Sequence, residues 1–161
     1  MTLSTKSLLF LIGLALSASL AESVWARPES RTELNKKIAT LKKRLEKQPD
    51  NLDLHYSLGI LYYKRGDKDS AIKHLKRTNE EPNVKRLKFL IKVLEEKNDQ
   101  LEVIRTLTIL SGQLPQSPNV FTSLGDAYLK INKIDKSIEN YKIAISKYKK
   151  HRPAYDGLLN V

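Results

Sequence analysis

The sequence predicts an all-α fold: antiparallel helix pairs stacked in an array behind a short N-terminal leader. Three observations predict it. From Leu34 onward, apolar residues recur at steps of three and four, the spacing that lines one face of an α-helix. Turn-forming stretches such as Gln48-Pro49-Asp50, Glu80-Glu81-Pro82-Asn83 and Asn132-Lys133 separate these segments. One motif occurs twice, as Leu58-Gly59-Ile60-Leu61-Tyr62 and Leu124-Gly125-Asp126-Ala127-Tyr128, with its glycines 66 residues apart. A small residue at that place lets two helices approach closely, and the Tyr three residues later shares its helical face. The chain therefore repeats a unit, and stacked units display a surface.

Composition narrows the function. With 161 residues, one compact domain or one short array is expected. Hydrophobic residues make up 40%, enough for a core, and the formal charge of +11 favours acidic or polyanionic partners. There is no cysteine, which excludes disulfides, thiolate metal sites and a Cys nucleophile. Three histidines are too few for most catalytic networks. His55 is expected to be a packed structural residue, while His74 and His151, among lysines, are expected to face water. No HExxH, GxSxG, GxGxxG or Walker-type loop occurs. The expectation is a non-enzymatic protein with no catalytic residues, no metal and no cofactor.

Taken in order, residues 1–26 read as a signal peptide. Lys6 supplies the charged start, Leu8 to Leu16 the apolar run, and cleavage is expected after Ala21 or Ala26. A retained anchor competes, but Leu8 to Ala21 is short against the roughly 17–25 residues that span a bilayer. A periplasmic or secreted location is therefore expected. Residues 27–50 form a linker and a lead helix, opened by a capping box at Ser30 and Glu33. Leu34, Ile38, Leu41 and Leu45 make its apolar stripe, and Lys36, Lys37, Lys42, Lys43, Arg44 and Lys47 its other face. Residues 51–161 hold the array, in units of about 52–83, 84–117 and 118–151 and a partial unit at 152–161. Inward positions are Leu54, Leu58, Leu61, Tyr62, Ala71, Ile72 and Leu75 in the first unit. In the second they are Val84, Leu87, Leu90, Ile91, Leu94, Leu101, Val103, Ile104, Leu107 and Leu110. The third unit opens at Ser117-Pro118, a cap followed by Pro at the first helical position.

These residues resemble the tetratricopeptide repeat family, whose period is about 34 residues. The match rests on Leu58, Gly59, Tyr62, Ala71 and Leu75 in the first unit, and on Phe121, Leu124, Gly125, Tyr128, Tyr141 and Ala144 in the third. The middle unit departs from the pattern: Ile91 stands where the family has Gly, Leu94 where it has Tyr, and Val103 where it has Ala. The resemblance covers roughly residues 30–161 and implies repeat packing by the residues just named. It also implies a concave groove lined by the first helix of each pair. Carried over residue by residue, that groove would hold Asp53, Tyr56, Ile60, Tyr63 and Lys64 from the first unit. Lys85, Lys88, Lys92 and Glu95 would come from the second, and Asn119, Thr122, Asp126, Leu129 and Lys130 from the third. The Asn-rich two-carboxylate clamp of chaperone-binding members is not reproduced.

Lys85, Lys88 and Lys92 share one helical face and would select an acidic protein or peptide. The leading expectation is an exported adaptor that binds a protein or peptide in the groove. Two alternatives stay open. The basic lead helix and Lys147 to Arg152 also suit an anionic envelope polymer or a membrane surface, nucleic acid being disfavoured by export. The two ends of the stack would also suit a structural subunit of an envelope assembly, and the oligomeric state is left open.

Overall fold

The computed structural model describes residues 29–161, so the leader and its two cleavage positions lie outside the described residues. The chain divides into Met1–Glu33 and Leu34–Val161. Within the first, the Ser30 hydroxyl accepts from the Glu33 N–H at 3.2 Å and the Glu33 carboxylate accepts from the Ser30 N–H at 2.8 Å. This is the expected capping box, and it starts α1 (Arg31–Lys47).

After α1, seven more helices come in turn among the described residues: α2 (Leu52–Lys64), α3 (Lys68–Arg77), α4 (Val84–Lys97), α5 (Gln100–Gln113), α6 (Pro118–Lys130), α7 (Ile134–Lys147) and α8 (Arg152–Leu159). A 3₁₀ turn, Thr78–Glu80, succeeds α3. The fold is all-α, and α2–α3, α4–α5 and α6–α7 are its helix pairs.

Each pair turns by the same device. Gly66, Asn98 and Asn132 take the left-handed conformation at φ 88°, 61° and 57°. The next N–H reaches back over the turn: Asp67 to the Tyr62 carbonyl at 2.9 Å, Asp99 to Leu94 at 3.1 Å and Lys133 to Tyr128 at 2.9 Å. That bond satisfies a helix-end carbonyl, and Gly or Asn tolerates the positive φ it needs. Asp67 and Asp99 then cap the following helix by accepting from the N–H of Ser70 at 3.0 Å and Glu102 at 3.2 Å. The first helices of two units are capped by asparagine, Asn51 on Asp53 and Leu54, and Asn83 on Lys85 and Arg86. At the third, Pro118 opens the helix as expected, but the Ser117 side chain makes no capping bond.

The core runs from α1 to α6. Ile38, Leu58, Leu75, Leu90, Leu94, Val103 and Leu124 belong to one buried cluster, with Leu41 and Leu45 packed against it. Each fully buried Leu is worth about 1.5–3 kcal/mol relative to exposure. Close approach within the pairs depends on glycine. A Cβ on Gly59 would meet Leu75 Cγ at 2.6 Å, and one on Gly125 would meet Tyr141 Cε1 at 2.5 Å. A Cβ on Gly157 of α8 would likewise meet the Tyr141 ring at 2.5 Å, so the last helix repeats the close approach. Burial pushes the Tyr141 phenol up to about 12, helped by its 2.7 Å hydrogen bond to the Asp126 carboxylate.

Three expectations are corrected. Leu101 is exposed at 64%, because it lies on the face of α5 opposite Val103, Thr106 and Leu110, which are buried. His151 is buried, and its Nε2 lies 2.9 Å from the Thr122 hydroxyl. His74 lies under a ring cluster: it stacks on Tyr62 at 5.4 Å with a 12° interplanar angle, and Arg65 sits over the same Tyr62 ring at 4.8 Å. His55 is buried, as expected of a packed structural residue. His55 Nε2 faces the Pro49 carbonyl at 3.0 Å, which only accepts, so this nitrogen carries the hydrogen. His55 Nδ1 then accepts from His74 Nδ1 at 3.0 Å. Burial first, then His55, Lys73 and Lys42, holds the His74 imidazole below its ordinary range.

The packing can be probed at its glycines and at His74. Gly125→Ala should cost about 1–3 kcal/mol by overpacking the Tyr141 ring, reduced by up to about 1 kcal/mol of helix propensity, giving a lower urea midpoint. Gly112→Ala, at a helical glycine with nothing within 4 Å, should stabilise the chain by about 0.5–1 kcal/mol and raise the midpoint. The lowered His74 pKa means the unfolded chain binds the extra proton first. Stability from this group is therefore present above about pH 6.5 and is lost as pH falls through the lowered folded value. Urea melts between pH 7.5 and 5 should show that slope, and His74→Asn should flatten it.

Candidate interaction surface

The first helices of units one and two carry an aromatic cluster. Phe89 of α4 meets Tyr56 edge-on at 6.1 Å and 82°, and Tyr63 edge-on at 5.3 Å and 82°. Both tyrosines lie on α2, about two turns apart, so their rings stand in line along one helix face. All three are half-buried, packed against the core from its rim.

Cations border the rings. Arg86 lies over Tyr56 at 5.8 Å and also pairs with Asp53, and Lys92 lies over Tyr63 at 5.2 Å. Contacts of this kind contribute about 0.5–1 kcal/mol when exposed. The Tyr63 hydroxyl donates to Glu96 at 2.6 Å. That bond, then Lys68, holds the Glu96 carboxyl below its usual range. Lys68 reaches Glu96 at 3.1 Å, which ties α3 to α4 across the unit boundary. Lys85 and Lys88 are exposed, and no carboxylate pairs with either among the described residues.

The structure sorts the expected groove residues. Tyr56, Tyr63 and Lys92 come together, joined by Asp53 through its ion pair with Arg86. Lys85 and Lys88 lie beside them on α4, while Ile60 and Lys64 lie on α2, half-buried and exposed respectively. Asn119 is exposed at the start of α6, and Leu129 and Lys130 stand at its far end. Asp126 is exposed but is engaged by Tyr141. Thr122 is corrected: it is buried, donates to the Pro118 carbonyl at 3.1 Å and meets His151, the residue just before α8. Of the repeat-packing set, Leu58, Gly59, Tyr62, Ala71, Leu75, Leu124, Gly125, Tyr141 and Ala144 are buried. Phe121 and Tyr128 are half-buried, Phe121 with Lys147 over its ring at 5.9 Å and Tyr128 with Lys136 over its ring at 5.5 Å.

Sequence reasoning missed Phe89 and Arg86, which organise the cluster. A signal was there: Phe89 is the sole aromatic between Val84 and Ser117, and Arg86 precedes it by three on the same face. It also missed a cleft of about 250 Å³ that opens between α4, α5 and α6.

Comparison with known families adds to this geometry. Two family models described as tetratricopeptide repeat match residues 53–83 and 118–146. These two segments are tetratricopeptide repeats. The middle pair, α4–α5, lies between them. Among solved structures, a crystal structure of MamA is similar at TM-score 0.59 and 23% identity, over 78% of this chain and 75% of that one. A second MamA crystal structure is similar at TM-score 0.59 and 20% identity, over 86% and 77%. MamA 41-end from Desulfovibrio magneticus RS-1 matches at TM-score 0.56 and 18% identity, over 89% and 92%. At these identities the likeness speaks for the fold. No curated protein matches the chain in sequence. Among the described residues, no group of three or more His, Asp or Glu side chains is placed to hold a metal ion.

Proposed function

We propose that this tetratricopeptide repeat scaffold binds an extended, acidic protein segment across the first helices of its units. One observation carries the reading: Lys92 lies over the Tyr63 ring of the Tyr56–Phe89–Tyr63 cluster, and Lys85 and Lys88 share its face of α4. Half-buried rings offer apolar contact area at low entropic cost, because the core already holds them. The lysines add charge selection and faster encounter more than raw affinity. The role is non-enzymatic: the surface recognises and holds a partner.

We also propose that the scaffold acts outside the cytoplasm, periplasmic or secreted, after loss of its leader. The charged start, apolar run and small-residue exit of residues 1–26 support this. N-terminal sequencing of the protein recovered from the producing cell should find a start at Glu22 or Arg27. A start at Met1 would overturn it.

The binding reading is tested with fluorescein-labelled acidic peptides and the full chain. Lys85→Glu, Lys88→Glu and Lys92→Glu together should weaken binding at least about tenfold, a loss of roughly 1.4 kcal/mol, and Phe89→Ala should weaken it at constant charge. Raising salt should weaken binding only modestly, because apolar contact persists; contact with a polyanion would weaken steeply. Unchanged binding in the triple variant would remove the surface from consideration.

A further inference from the structure

We infer that the cleft between α4, α5 and α6 is a pocket for one aliphatic side chain of that acidic segment. It deepens the proposed function and rests on it. The pocket exists because the middle unit breaks the glycine rule. In units one and three, the glycine of the first helix lies directly against the second helix, Gly59 on Leu75 and Gly125 on Tyr141. The corresponding pair in the middle unit is Ile91 and Leu107. An isoleucine cannot occupy a space that rejects even a Cβ, so α4 and α5 meet differently here. Both residues line the cleft.

The lining says what the cleft would hold. Its floor is aliphatic: Ile91, Leu107, Leu110, Leu114 and Val120. Its volume of about 250 Å³ exceeds the roughly 150 Å³ apolar cavity that accepts a benzene ring, so a Leu, Ile or Met side chain has room. Ser117, Asn119 and Ser123 of α6 stand on the rim, small polar groups suited to the main chain of an extended segment. Charge orients that segment. Lys88 stands at the mouth on the same helical face as Lys85 and Lys92, while Glu95 lies two turns further along that face, at the far end of the opening. Carboxylates of the partner therefore lie towards Lys85 and Lys88, and the aliphatic residue falls beside them into the cleft. The aromatic cluster sits on the opposite flank of α4, so one segment crossing this helix meets rings, then lysines, then the cleft.

The test pairs a change in the pocket with a change in the peptide. The probe is an acidic peptide with one leucine, alongside its Leu-to-Ala version, titrated by fluorescence anisotropy against the full chain. On the unaltered protein, loss of the leucine should cost roughly tenfold in affinity. Ser123→Phe places a ring in the cleft from its rim, and the same loss should then fall to within about twofold. Asn119→Phe does so from an exposed position and carries the comparison if Ser123→Phe does not fold, as read by circular dichroism. An equal leucine penalty in plugged and unplugged proteins overturns the pocket. If the Lys85, Lys88 and Lys92 reversals still abolish binding in that case, the wider surface stands and only the cleft is lost. If no acidic peptide binds the unaltered chain, both readings fall together.

Discussion

Close approach of two helices at a glycine is the constraint on which this structure depends. At Gly59 and Gly125 the partner side chain occupies the space a Cβ would need. The pairing is tight enough that Leu58, Ala71 and Leu75 are sealed from solvent in the first unit and Tyr141 and Ala144 in the third. Gly157 carries the same contact to the end of the array, sharing the Tyr141 ring with Gly125. One aromatic side chain thus joins α6, α7 and α8, and its hydroxyl finds Asp126 so that the buried ring leaves no polar atom without a partner. Each helix pair leaves an apolar face that the next pair covers, which is why the units are stable as a stack.

In the middle unit that constraint is lifted. With Ile91 in the glycine position, α4 and α5 still pair, and their turn at Asn98 and cap at Asp99 match the first unit. The hydrophobic effect is non-directional, so Leu90, Val93, Leu94 and Val103 remain buried without the glycine contact. The shape of the surface is different. α4 presents Phe89 and its cations on one flank and an aliphatic cleft on the other. The departure from the repeat pattern thus coincides with the helix that carries both the ring cluster and the cleft.

Much of this was legible in the residues. The capping box at Ser30, the turn at Asn132, and the burial of Leu58, Gly59, Tyr62, Leu124 and Gly125 all rest on local chemistry, which a sequence states directly. The candidate surface was legible in part. Tyr56, Tyr63 and Lys92 were named by the resemblance to tetratricopeptide repeats, carried over position by position onto the first helix of each pair. Thr122 was carried over in the same way, but His151, the residue just before α8, packs on it and it is buried. His74 and His151 were misread because lysines beside them in sequence suggested solvent. Their partners lie elsewhere in the chain: His74 meets His55 and Tyr62 of α2, and His151 meets Thr122 of α6.

By itself, the sequence determined the helices, their turns, the glycine contacts and the repeat, since each is set by neighbours within one or two turns or by the spacing between matching motifs. Tertiary structure alone decided which rings meet, which polar groups are covered and where a cleft opens. Those depend on atoms from helices whose relative placement is settled by packing, and a half-buried ring such as Phe89 acquires its role only when α2 arrives beside it.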